Sequence, residues 1–300
     1  MAGPVSWIKA MRLRTLPLAM SSTLGGTFMA VGDKRYNAWV IALAILTTLL
    51  LQILSNLAND LGDSLKGTDN LNRLGPKRTV QGGEITVREM KSALIIVSGL
   101  TLASGIILIL SGLGLDSWLV IVFLILGMIS IAAALKYTLG EKAYGYKGFG
   151  DLFVFLFFGQ TGVLGTYYLN AHQLPPDTFL MAASVGLLSA GVLNLNNMRD
   201  IENDKLSGKN TIAVIMGRKK AKIYHLIMVM GGLLCGVVYT LLNYESAIQF
   251  LYVLVFPLFL FDLIRIMKNR EPRKLDPFLK KLAIATFVYI LLFGLGIILI

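Results

Sequence analysis

The sequence predicts an all-α, polytopic membrane protein: a nine-transmembrane-helix bundle. Composition, the length of the apolar runs and the placement of basic residues carry that prediction. Of 300 residues, 55% are hydrophobic and 15% charged, against roughly 25% charged in an ordinary soluble domain. Mean hydropathy is +0.70. A bilayer core about 30 Å thick needs roughly 20 apolar residues per helix, and the chain supplies such runs repeatedly. A soluble fold could not hide this much apolar surface. A disordered chain, a collagen repeat and a disulfide scaffold are excluded by the same composition. The single cysteine, Cys235, lies in an apolar run and reads as packing. The N-terminal stretch to Pro17 does not read as a cleavable signal, because no short apolar segment with a small-residue cleavage site follows its basic residues.

The spans follow in order. The first covers about 15–32 and carries Gly25 and Gly26, small residues that permit close helix contact. The second, 38–58, runs into a polar stretch from Asn56 to Asp63. The third and fourth occupy 90–111 and 117–136. The fifth, 151–170, opens at Asp151, and the sixth, 178–196, ends in a second polar stretch from Asn196 to Asp204. Spans over 221–242, 246–265 and 279–300 complete the set.

Basic residues test this count, because they collect in cytoplasmic loops. With the N-terminus inside, 26 of 28 Lys and Arg residues, Arg73 among them, fall on one side; Lys34 and Arg35 alone fall on the other. A span miscounted before the last would scramble that partition. The net charge of +11 therefore reads as positive-inside loops, not as a nucleic-acid surface. The inner loops are long and the outer ones short, so chemistry is expected at the cytoplasmic face, with the C-terminus outside. The run Arg218-Lys219-Lys220 reads as a contact with anionic membrane lipids.

The two polar stretches carry the chemistry. Asn56, Asp60 and Asp63 are spaced i, i+4, i+7, and Asn196, Asp200 and Asp204 i, i+4, i+8; on a helix each set shares roughly one face. Asp69 follows the first set in what reads as loop. The flanking sequences echo each other, so spans 1–4 and 5–8 read as weak parallel repeats within one domain over 1–300, and equivalent helices of such repeats tend to face each other around a central site. Carboxylates and amides form a hard-oxygen ligand set, which suits Mg²⁺ held between carboxylates and substrate phosphates. Arg78, Arg199, Lys209 and Lys136 supply further positive charge near them. Such a clamp stabilises a departing diphosphate, and the apolar spans suit a polyprenyl chain. The competing interpretation, polar residues meeting the interface at helix ends, serves for one Asp but poorly for two matched sets, since carboxylates within the membrane are costly. A secondary transporter could share the repeats and the carboxylates, but no span here has a charged centre.

Asn56-Leu-Ala-Asn-Asp60-Leu-Gly-Asp63 and Asn196-Asn-Met-Arg-Asp200-Ile-Glu-Asn-Asp204 resemble the paired aspartate motifs of the UbiA superfamily of intramembrane prenyltransferases. Further stretches resemble its branch acting on 1,4-dihydroxy-2-naphthoate in menaquinone synthesis: Arg12 to Pro17, Gly75 to Arg78, Gly148 to Asp151, Phe157 to Gly159 and Gly165 to Tyr168. The resemblance covers the whole chain. It implies a cavity open to the cytoplasm and to lipid, and Mg²⁺-dependent attack of an aromatic carbon on a polyprenyl cation derived from polyprenyl diphosphate. In the naphthoate branch the ring carboxylate leaves as CO₂. It further implies Arg14 as the cation for the naphthoate carboxylate, Arg78, Arg199 and Lys209 as diphosphate contacts, and a loop from Lys136 and Tyr137 that covers the diphosphate and faces the cation. Asp151 orients or deprotonates the acceptor, or caps its helix. The first motif departs from the second in spacing its carboxylates i, i+3. Acceptors such as 4-hydroxybenzoate or homogentisate fit the same chemistry. Tyr167 and Tyr168 read as interfacial residues of the outer end, and His172 and His225 as packing or solvated side chains.

Overall fold

A computed structural model describes residues 2–70 and 74–300, so Arg73 lies outside the described residues. These residues form helices and loops without a strand. Helix α1 (Pro4–Met11) ends at Arg12, whose φ of 49° turns the chain into α2 (Leu16–Gly32). Then follow α3 (Ala38–Leu65), α4 (Val87–Leu113), α5 (Leu119–Lys136), α6 (Gly150–Ala171), α7 (Thr178–Arg199), the short α8 (Ile201–Leu206), α9 (Ile212–Leu242), α10 (Ala247–Lys268) and α11 (Pro272–Ile298). Eight of these are long and apolar enough to cross a membrane. The 17 residues of α2 add a ninth, about 26 Å long at 1.5 Å per residue. The chain is a multi-pass membrane protein, and each of the nine expected spans coincides with a helix.

Local chemistry sets the helix starts. Thr86 and Glu89 form a reciprocal capping box at α4, and Ser246 and Gln249 do the same at α10. The Asn37 side chain accepts from Trp39 N at 2.9 Å to begin α3. Two helices differ from expectation. Helix α3 continues past 58 to Leu65, which carries the first polar stretch on regular helix. Helix α9 starts at Ile212 and breaks at Gly217, whose φ of 73° suits a residue without Cβ.

Loop contacts confirm that alternate ends share a face. Asn203 Nδ2 donates to Thr68 O at 2.9 Å, Thr68 and Tyr146 hydroxyls meet at 2.5 Å, and Asn210 N donates to Tyr146 O at 3.1 Å. Lys9 pairs with Glu84 at 3.0 Å. On the opposite face Asn37 N donates to the Asn170 amide at 3.0 Å, and Asn243 donates to Asp177 at 2.8 Å.

Helix α7 is the axis of the bundle. Met181, Val185, Leu188 and Leu195 are fully buried among residues of α2, α6, α9, α10 and α11. Helices α1, α3, α4 and α5 form a second apolar cluster around Leu54, Leu57 and Met90. Between helices in lipid, close packing and polar contacts replace the water-driven hydrophobic effect. Tyr252 thus donates to Thr240 at 2.9 Å, and Ser184 meets the Tyr289 hydroxyl at 3.0 Å. A Cβ on Gly26 would lie 2.2 Å from the Val163 carbonyl oxygen, so α2 and α6 touch backbone to backbone.

Candidate active site

Between the two clusters lies a cavity of about 1510 Å³, larger than the roughly 300–1,000 Å³ of a typical small-molecule site. One end is polar and basic; the rest is apolar. Helix α3 contributes a stripe of Thr48, Gln52, Ser55, Asn59 and Asp63 at i+3 and i+4 intervals. Asn59, which the motif reading passed over, therefore faces the cavity. Its side-chain oxygen is buried with no hydrogen-bond partner. Asn56 does not line the cavity. Its amide donates to Met11 O at 2.8 Å and to Thr15 Oγ1 at 2.9 Å, tying α3 to α1. The docking of the N-terminal segment thus takes Asn56 alone out of the expected i, i+4, i+7 face.

Asp60 and Asp63 both line the cavity, with different partners. Asp60 accepts from Thr79 N (3.1 Å), Thr79 Oγ1 (2.7 Å) and Val80 N (3.1 Å), so it holds the loop beyond Arg78. Asp63 accepts from the Tyr146 hydroxyl at 2.7 Å and pairs with Arg78 at 2.8 Å. Arg78 also pairs with Asp69 at 3.1 Å and donates to the Asn59 carbonyl. Asp69, read as a loop residue, is thus buried in the cluster. Burial works against the Arg78 charge, but Asp63, Asp69 and Asp60 outweigh it and hold the guanidinium pKa above its ordinary value.

Tyr146 carries cations on its ring: Lys66 Nζ lies 4.0 Å and Lys209 Nζ 5.4 Å from the centroid. Burial and then Asp63 push the Tyr146 pKa up, so it stays a proton donor. Burial lowers the Lys66 pKa, Asp63 partly restores it, and Lys209 lowers it further.

The second polar stretch does not sit on one continuous helix. The chain breaks at Asp200 between α7 and α8. Asn196 and Arg199 line the cavity; Asp200 and Asp204 lie behind them, buried. Arg199 pairs with Asp200 at 2.6 Å, donates to the Asn196 amide oxygen at 2.8 Å and pairs with Asp276 of α11 at 2.5 Å. Lys209 lines the cavity, 3.9 Å from Asp204.

The remaining expected residues divide. Arg14 is exposed at the cavity mouth. Tyr137 lines the cavity and begins an aromatic wall: Tyr137 meets Tyr144 edge-on at 5.4 Å, Tyr144 stacks on Phe153 at 4.0 Å, and Phe157 follows at 5.9 Å. Burial pushes the pKa of both tyrosines up. Lys136 is exposed and outside the cavity lining, because the last turn of α5 points it away from Tyr137. Asp151 is buried beside Tyr224, also outside the lining. Tyr168, expected at the interface, faces the cavity and stacks on Phe123 at 5.7 Å; Tyr167 donates its hydroxyl to Asp33. His225 is buried. Gln52 and Asp276 carried no motif signal.

The polar end offers amide and carboxylate oxygens of Asn59, Asp60, Asp63 and Asn196, a hard-oxygen set that fits a cation such as Mg²⁺. The unpartnered Asn59 oxygen is an acceptor such an ion would satisfy. In the present geometry Arg78 pairs with Asp63 and Asp69 and Arg199 with Asp200, and among the described residues no three His, Cys, Asp or Glu side chains are grouped so as to hold a metal ion.

Residues 19–298 match the UbiA prenyltransferase family. The chain is 42% identical over 292 residues to the 1,4-dihydroxy-2-naphthoate octaprenyltransferase of Escherichia coli (strain K12), covering 97% of this chain and 94% of that one. It is 39% identical to the Haemophilus influenzae enzyme of the same name, covering 97% and 95%. Among solved structures, a UbiA homolog from Archaeoglobus fulgidus bound to GPP and Mg²⁺ superposes with a TM-score of 0.63 at 16% identity, covering 98% of this chain and 100% of that one.

Proposed function

The chain belongs to the UbiA prenyltransferase family, and from that premise we propose that it transfers a polyprenyl group from polyprenyl diphosphate to 1,4-dihydroxy-2-naphthoate, releasing diphosphate and CO₂. The observation that carries this reading is the meeting of both polar stretches, with Arg78, Arg199 and Lys209, at one end of a large apolar cavity. The names of the E. coli and H. influenzae relatives support the acceptor, and the Mg²⁺-bound neighbour supports the metal.

Asn59, Asp60 and Asp63 on one side, and Asn196, Asp200 and Asp204 on the other, would hold Mg²⁺; Asn59 replaces Asn56 in this set. Bound there, Mg²⁺ neutralises diphosphate charge and favours its departure. Arg78, Arg199, Lys209 and Lys66 add charge-assisted hydrogen bonds to the diphosphate oxygens. The Tyr137–Phe157 wall presents ring faces to the allylic cation and excludes water. Arg14 binds the naphthoate carboxylate at the mouth. The carboxylate-bearing ring carbon then forms the bond to the prenyl carbon, and loss of CO₂ returns the electron pair to the ring.

The test incubates purified protein with Mg²⁺, octaprenyl diphosphate and, separately, 1,4-dihydroxy-2-naphthoate, 4-hydroxybenzoate and homogentisate. Mass spectrometry should find a decarboxylated prenyl adduct from the naphthoate, and none after EDTA treatment. An adduct from another acid alone would overturn the acceptor; full turnover after EDTA would overturn the metal.

We also infer that the N-terminus and the site face the cytoplasm and the C-terminus lies outside, because of the basic partition. Cysteines placed at Ser64, Ser207 and Ser246 in a Cys235→Ser background test this. The first two should label from the cytoplasm and the third from outside; labelling of Ser64 and Ser246 positions from the same side contradicts the orientation and the span count.

A further inference from the structure

The loops after α3, α5 and α8 meet at the polar end, and Tyr146 of the middle loop sits at their junction. A tight turn places it there. Gly145 N donates to Tyr137 O at 3.0 Å, and a Cβ on Gly145 would lie 2.6 Å from that same oxygen, so glycine is what packs. Tyr146 lies outside the cavity lining, yet it touches two residues that line it. One belongs to the first polar stretch: the Tyr146 hydroxyl donates to Asp63 Oδ1 at 2.7 Å. The other lies just beyond the second: Lys209 Nζ is 5.4 Å from the ring centroid, with Lys66 Nζ at 4.0 Å.

Each contact has a consequence. The phenol has a single proton, and it goes to Asp63. In the 2.5 Å contact with Thr68, the Thr68 hydroxyl is therefore the donor. Tyr146 takes Oδ1 of Asp63 and Arg78 takes Oδ2 at 2.8 Å, so the carboxylate is held in one orientation. The ring acts on charge. Lys66 and Lys209 repel each other, and Lys209 lowers the Lys66 pKa. The negative face of a neutral ring offsets that repulsion and keeps two ammonium groups near one another, as an anion carrying several charges requires.

Holding the loops together does not need this side chain. Asn210 N donates to the Tyr146 carbonyl at 3.1 Å, and Asn203 Nδ2 donates to Thr68 O at 2.9 Å. These bonds join α8 and all three loops through backbone oxygens. The phenol is left to act on Asp63 and the lysines.

We propose that Tyr146 is a positioning residue that couples the two halves of the site: its hydroxyl orients Asp63 for the metal, and its ring orients Lys209 and Lys66 for the diphosphate. This rests on the prenyl-transfer reading above, in which Asp63 holds Mg²⁺ and the lysines meet diphosphate. The two roles sit on different atoms of one side chain, so substitutions separate them. Tyr146→Phe removes the hydroxyl and keeps the ring. Tyr146→Leu removes both. A trifluorinated phenylalanine at position 146 keeps the shape of Phe and weakens the negative face of the ring.

The experiment measures binding, on detergent-purified protein checked by size-exclusion chromatography. The probes are Mn²⁺, followed by electron paramagnetic resonance, and geranyl thiolodiphosphate, followed by calorimetry at saturating Mn²⁺. In Tyr146→Phe the Kd for Mn²⁺ should rise about tenfold or more, the scale for losing an outer hydrogen bond to a metal ligand, while the Kd for the thiolodiphosphate barely moves. In Tyr146→Leu the thiolodiphosphate Kd should rise as well, by about threefold over the Phe variant, the scale of a partly exposed cation–π contact. The trifluorinated protein should show the same second rise, and it supplies this arm should the Leu variant not fold. Tyr244→Phe, an exposed ring between α9 and α10, should change neither constant. A residue that merely stapled the loops would lower the folded fraction and leave both constants of the folded protein unchanged. That result, or a Tyr146→Phe protein in which the thiolodiphosphate Kd alone moves, overturns the proposal. Absence of thiolodiphosphate binding to wild type in the presence of metal would instead overturn the prenyl-transfer reading itself.

Discussion

Asp63→Asn should lower the rate of prenyl transfer by roughly 10²–10³-fold, the usual scale for removing one preorganised electrostatic contact from a dry site. Asparagine keeps the size of the side chain and can still accept from Tyr146 or Arg78, which contact Asp63 at 2.7 and 2.8 Å. What it loses is the negative charge that a metal–diphosphate cluster needs. Asp200→Asn on the other side should cost about as much. If both stretches act on one diphosphate, the double variant should be only slightly worse than either single one, since groups acting as a unit are non-additive. Asp116→Asn, exposed in the short connection between α4 and α5, should be silent. Initial rates on size-exclusion-purified protein decide the matter. Near-normal turnover in folded Asp63→Asn protein would remove the first stretch from the mechanism.

Arg78→Ala should cost both activity and stability. The guanidinium lies buried between Asp63 and Asp69 and donates to the Asn59 carbonyl. Removing it takes the guanidinium partner from two buried carboxylates, a loss on the order of 3–5 kcal/mol by analogy with broken buried pairs. Arg78→Lys should rescue little, because one ammonium cannot reproduce a planar fork that meets three acceptors. The combination Arg78→Ala with Asp69→Asn removes one of the stranded charges. It should recover part of the stability while activity stays low, which separates the structural role from the catalytic one. Thermal unfolding in detergent and initial rates supply the two readouts. An unchanged melting temperature in Arg78→Ala would mean the cluster is solvated and the burial argument fails.

Hydropathy and charge are properties of single residues summed along the chain, so they survive without knowledge of packing. That is why nine spans, their alternation and the two polar stretches were legible in the sequence. The basic partition did most to secure the count. The same patterns could not say which face of a helix meets the cavity. Along α3 the series Asn56, Asp60, Asp63 and the series Gln52, Ser55, Asn59, Asp63 are both good helical stripes. Docking of α1 occupies Asn56 through Met11 and Thr15, and that packing leaves Asn59 for the cavity.

Other decisions also belonged to the tertiary structure. The helix break at Asp200 leaves Asn196 on the cavity wall and the two aspartates that spacing had joined to it outside the lining. Asp69 is buried against Arg78, nine residues further along the chain. Lys136 and Tyr137 are neighbours in sequence, yet successive positions on a helix point about 100° apart, so only Tyr137 enters the cavity. The π-helical stretch Phe155–Leu164 within α6 shifts the register of its face, and Tyr168 beyond it reaches Phe123. Membrane crossing is determined by what each segment would cost in lipid, which the sequence by itself settles. The site is determined by which side chains the packed helices turn toward one another, and no sum over single residues contains that.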